Sequence, residues 1–242
     1  MKKFLSKTIM GIFALGTSIA AIAQEAAVEE SFHQAIKIKF IEGSAGFMGM
    51  LCFVFIIGLA FALERIVYLN LADTNASKFL KSIEDALDKG DVEAAKTIAR
   101  DTKGPIASIV FQGLTRIEQD IDVVEKSIAG YGGVQSALLE KNLSWITLFI
   151  AILPSLGFLG TVVGMIMAFD NIERVGDISP TVVAGGMKVC LLTTVAALIG
   201  AVTLQLFYNY LLSKVEAILA KMEDATITFL DMVIKYNVKY KN

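Results

Sequence analysis

Four stretches of this 242-residue chain contain no Asp, Glu, Lys or Arg. They are residues 8–24, 43–63, 142–169 and 189–213, which is 17, 21, 28 and 25 residues. A helix needs about 20 apolar residues to cross a hydrocarbon core. The last three stretches qualify and the first falls short. Composition agrees: 55% of residues are apolar before the 19 glycines are counted. Charged residues are 19%, where a soluble domain carries about 25%. In lipid the backbone must satisfy its own hydrogen bonds, so spans of this length are helices. The expected fold is an all-α membrane protein with transmembrane helices at 43–63, 142–169 and 182–212.

The same totals remove whole classes of function. The chain has one histidine, His33, and two cysteines, Cys52 and Cys190, both inside expected spans. A zinc site or a Ser-His-Asp triad therefore lacks its residues, and neither metal nor cofactor is expected. The two cysteines read as small apolar fillers. A net charge of −2 leaves no electrostatic footprint for nucleic acid. The spans hold no His, Asp or Glu, which argues against an intramembrane enzyme.

Residues 1–23 read as a secretory signal. Lys2, Lys3 and Lys7 precede a short apolar core, and Ala21-Ile22-Ala23 fits the cleavage pattern. The alternative is an uncleaved first membrane helix. Cleavage places the mature N-terminus outside the cytoplasm and the C-terminus inside. Near the span ends, Arg65, Lys78, Lys81, Lys126, Lys141, Lys214 and Lys221 then fall on the cytoplasmic side, and Lys37, Lys39 and Arg174 outside. That asymmetry agrees with the positive-inside rule. Segment 24–42 is an outer lead-in, either a short interfacial helix carrying Phe32, Ile36 and Phe40 or a loosely ordered approach.

Residues 64–141 form a cytoplasmic helical domain with 10 Lys/Arg and 13 Asp/Glu. Phe79, Leu80, Ile83 and Leu87 recur at helical spacing. Gly90 and Asp91 mark a helix stop and a new N-cap, and Lys103-Gly104-Pro105 a second boundary. A further helix starts near Asp120 and is expected to run unbroken into the second span. After the short outer loop at 170–181 and the third span, Val215, Ile218, Leu219 and Met222 continue an apolar stripe through 213–242, on to Ile227, Leu230 and Val233. Such a stripe must be covered, by packing within the chain or by a second subunit.

The three spans differ in character. The first is bulky and aromatic, and reads as lipid-facing. In the second, Gly157, Gly160 and Gly164 lie on one helical face, and Pro154 removes a backbone bond and is expected to kink the helix. The third adds Gly185, Gly186, Cys190, Thr193, Thr194, Ala197 and Gly200. Small residues let helices approach closely in lipid. The hydroxyls of Thr161, Thr193 and Thr194 either bond their own helices or line a polar path. Lys188 is the only charge inside a span; it either snorkels to the outer surface or forms an outer-mouth charge that pairs with an acidic partner. If protons pass, the carboxylate that carries them comes from another chain.

These residues carry a family resemblance. LPSLGFLGTVVGMIMAF (153–169) resembles the Pro-x-Leu-Gly-Leu-Leu-Gly-Thr-Val-x-Gly-Met signature of the MotA/TolQ/ExbB proton-channel family, most closely its ExbB branch. VAGGMKVCLLTTVAALIGAVTLQLFYNYL (183–211) is similar to the second signature, and residues 86–114 look like the family's cytoplasmic helices. The resemblance implies a pentameric ring in the bacterial inner membrane around a single-span ExbD-like partner whose aspartate carries protons. It further implies that Thr161 and Thr194, with neighbouring Thr193, face that aspartate, and that a TonB-like protein delivers the work to outer-membrane transporters. Two departures stand out. Where relatives often carry a glutamate before the span 3 threonine, this chain has Val189 and Cys190 beside Lys188, and Ala197 replaces a usual glycine. A TolQ-like envelope motor of the same family, or a motor for gliding or secretion, and more distantly a passive scaffold, remain alternatives.

Overall fold

A computed structural model describes residues 32–176 and 180–240. The signal-sequence expectation at 1–23 lies outside the described residues, as does the first part of the outer lead-in, 24–31; the rest of it is helical. Among the described residues the chain is helical throughout: α1 (Phe32–Glu42), α2 (Ala45–Ala72), α3 (Ala76–Asp88), α4 (Val92–Asp101), α5 (Pro105–Thr115), α6 (Ile121–Glu140), α7 (Leu143–Val175) and α8 (Pro180–Tyr240). Stretches within α2, α7 and α8 are long and apolar enough to cross a membrane.

Local chemistry sets the boundaries of the polar helices. The Asn75 side chain accepts from Lys78 N and opens α3, whose Phe79, Leu80, Ile83, Ala86 and Leu87 are buried. Gly90 closes it with φ 77: Gly90 N donates to Leu87 O and Asp91 N to Ala86 O, the paired bonds of a Schellman stop. Asp91 then caps α4 by accepting from Ala94 N. Gly104, at φ 120, precedes Pro105 at the start of α5, where a missing N–H costs nothing.

The longest element is α8, with 61 residues and a length of about 90 Å at 1.5 Å per residue. One stripe on it is buried along most of its length, through Cys190, Thr193, Ala197, Ala201, Leu204, Leu211, Val215, Ile218, Met222, Ala225, Phe229 and Val233. These positions recur every three or four residues, the spacing of a single packed face, with one seven-residue step after Leu204 where Phe207 and Tyr208 are half-buried. In the apolar half, α7 and α2 cover the stripe, and in the polar half α3, α5 and α6 do. Covering by the chain itself is therefore the outcome for this face. Ile227 lies off it and is exposed, and Phe229 takes the buried position instead.

Two expectations are corrected. First, the helix entering the second span is interrupted. Lys141 and Asn142 separate α6 from α7, and Asn142 adopts φ 67, a left-handed backbone that Asn tolerates better than most residues. Second, α2 is only partly outward-facing. Phe53, Ile56, Leu63 and Val67 are exposed, but Leu51, Gly58, Ala62, Arg65 and Leu69 form a buried face at spacings of seven, four, three and four residues. Pro154 lies inside α7, which continues through it. The Ser155 hydroxyl donates to Ala151 O at 2.9 Å, one position on from the Ile150 carbonyl that Pro154 leaves without its usual donor.

Candidate functional site

The antiparallel seam between α7 and α8 is built on missing side-chain volume. A Cβ added at Gly157 would stand 2.6 Å from Ala197 Cβ, one at Gly160 would stand 2.7 Å from Thr193 Oγ1, and one at Gly164 would stand 2.7 Å from Cys190 Sγ. Gly186 meets Ala168 from the other side. Each glycine on one helix faces a small residue on the other, so the backbones close to a distance that larger side chains would prevent.

The expected threonines are brought together here and divide into two kinds. Thr193 is fully buried, and its hydroxyl donates to Val189 O at 2.9 Å and Cys190 O at 3.1 Å. It lies inside the seam against Gly160, with its hydroxyl bonded to its own helix, one of the two expected arrangements. Thr161 and Thr194 are half-buried, one on each helix. Thr194 Oγ1 donates to Cys190 O at 3.0 Å and lies 3.5 Å from Gly157 O, across the seam. Thr161 Oγ1 donates to Phe158 O at 2.5 Å. Cys190 joins them, its Sγ 3.1 Å from Thr161 O. A threonine hydroxyl keeps two acceptor lone pairs while it donates, and its proton can rotate to another acceptor. These two hydroxyls can therefore exchange a backbone carbonyl for an incoming carboxylate.

Lys188 has its partner within the chain. Its ammonium pairs with Glu42 at the end of α1, and Glu42 also accepts from Lys39 at 2.9 Å. The Lys188 ammonium, then Lys39, holds the Glu42 carboxyl below the usual carboxylate range. Lys188 thus reaches to the α1 end of the bundle, and its charge is neutralised there. Nothing in the sequence pairs residues 42 and 188; only the packing of α1 on α8 does so. No group of three or more His, Cys, Asp or Glu that could hold a metal occurs among the described residues.

A second residue missed in the sequence is Arg65, which reads there as one more flanking cation. It is 2% exposed, and its Nη2 donates to Leu138 O at 3.1 Å and Leu139 O at 3.0 Å. The available signal was its place two residues after an uninterrupted apolar stretch, in a Glu-Arg pair.

Comparison with known proteins bears on the same region. Residues 101–224 match the MotA/TolQ/ExbB proton channel family. A relative described as a putative biopolymer transport protein ExbB homolog, from Methanothermobacter thermautotrophicus, is 26% identical over 170 residues. The match covers 69% of this chain and 60% of the relative's own length.

Proposed function

Because this chain belongs to the MotA/TolQ/ExbB proton channel family and is ExbB-like, we propose that it is a proton-channel and motor subunit of the bacterial inner membrane. In this reading identical copies form a pentameric ring around an ExbD-like single-span partner, with the N-terminal side periplasmic and residues 64–141 and 213–242 cytoplasmic. The complex draws on the proton-motive force and, through a TonB-like protein, energises outer-membrane transport.

One observation carries the reading. Thr161 and Thr194 lie half-buried on the two helices of a close-packed seam, each bonded to Cys190, and 142–169 and 189–213 contain no acid. Hydroxyls can position a carboxylate and hand a proton to it, but they cannot hold charge themselves at neutral pH. The acid therefore belongs to the partner. When protonated it loses the desolvation penalty of a buried charge, which frees the partner helix to turn within the ring. One charge crossing 100 mV releases about 2.3 kcal/mol, so a few protons suffice for a large movement.

Native mass spectrometry of the complex, extracted with its co-expressed partner, tests the assembly. Five copies of this chain with partner chains bound is the expected result. A monomer that conducts protons alone would overturn the reading.

A further inference from the structure

Arg65 is the largest side chain that is fully buried, and the pathway described above makes no use of it. Its environment is specific. Leu138 and Leu139 belong to the last turn of α6, and the break at Lys141–Asn142 takes away the amides that would serve their carbonyls in a continuous helix. One guanidinium nitrogen bonds both carbonyls. The guanidinium also lies 4.3 Å from the centre of the Tyr68 ring, and Nη1 is 3.7 Å from Glu64. Glu64 accepts in turn from Asn142 Nδ2 at 3.4 Å, at the residue whose left-handed backbone makes the break. Two consecutive residues of α2 thus hold both sides of the α6–α7 joint.

A buried charge is costly, and a well-packed apolar residue of similar volume fills space at least as well. What the cation adds is direction. It complements the negative end of the α6 dipole and joins two carbonyls through one nitrogen of a delocalised cation that also lies over the Tyr68 ring, a contact that a compact ammonium makes less well.

We propose that Arg65 is a positioning residue that sets the direction in which α7 leaves α6, and so places Thr161 on the seam. The first span is then more than an outer wall: it is the strut that aims the second. The proposal rests on the proton-channel reading where it concerns flux, but the joint itself can be measured independently.

The test compares Arg65→Met and Arg65→Lys in the full complex, by hydrogen exchange and by proton flux in liposomes. Arg65→Met should raise exchange roughly tenfold, the scale of one lost charge-assisted bond, across residues 130–146 and leave 76–115 unchanged. Flux should fall with the ring and partner still assembled, and Arg65→Lys should lie between Met and wild type. Wild-type exchange in Arg65→Met, a rise spread over the whole chain, or wild-type flux in that variant would each overturn the proposal. If the wild-type complex passes no protons, the channel reading falls, and the exchange measurement still judges the joint.

Discussion

Gly164 and Gly130 are both helical glycines, and only their neighbours distinguish them. A methyl group at Gly164 would meet Cys190 Sγ at 2.7 Å and Cys190 N at 3.1 Å, while one at Gly130 meets nothing within 4 Å. Gly164→Ala should therefore destabilise the protein by about 1–3 kcal/mol through overpacking. Gly130→Ala should be neutral or stabilise by up to about 1 kcal/mol through helix propensity. Thermal unfolding of the two variants in detergent checks both signs, and equal effects would contradict the close seam. At this scale the sequence was informative about Gly157, Gly160 and Gly164, because their spacing alone places them on one face. It was silent on which threonine faces inward. Thr193 and Thr194 are adjacent, and a 100° turn of the helix decides between burial and an open edge. It was silent too on the bonds of Glu42 to Lys188 and of Arg65 to the Leu138 and Leu139 carbonyls, which span more than 70 residues.

Between elements, electrostatics fastens the polar end of α2 to α8. Asp73, at the C-cap of α2, pairs with Lys214 at 2.6 Å and Lys221 at 2.5 Å. The two lysines are seven residues apart, two turns on the same face of α8. Lys214, then Lys221, holds the Asp73 carboxyl below its ordinary range, and Asp73 raises Lys214 in return. A depressed carboxylate contributes its stability fully above the unfolded-state pKa and loses it as pH falls through the folded-state value. Asp73→Asn should thus lower stability at pH 7 by about 0.5–1 kcal/mol, the scale of surface ion pairs. The gap from wild type should close as pH drops through and below the carboxylate range. Melting temperatures of both proteins across that range measure it, and a gap independent of pH would contradict the pairing. Element boundaries were legible where a residue acts on its own neighbours, as Gly90 and Asp91 do, and Gly104 with Pro105. The α6–α7 break was not, because Asn142 is compatible with a continuing helix. It is held left-handed beside contacts from α2 that no local pattern announces.

At the scale of the whole molecule, the chain divides along α8. Its apolar half closes on α2 and α7 through small residues, and its polar half collects the short helices around Phe229. The uncharged stretches of the sequence mark out the first half, and helical periodicity the second. Helical spacing carried an apolar stripe on from the third span through Val215 and Met222, but did not show which face of the span it joins, since its residues change from Ala and Thr to Leu, Ile and Phe midway. Under the proposed function, that continuity gives a motion at the seam a rigid route to the polar end, with Thr161 and Thr194 as its proposed origin. Proton flux into liposomes carrying the complex, driven by an imposed potential, tests that origin most directly. Wild type should conduct, and the double variant Thr161→Ala, Thr194→Ala should lose roughly tenfold or more, the scale of about 1.5 kcal/mol for a hydrogen bond to a charged group. Flux at the wild-type level in the double variant, with ring and partner intact, would contradict it.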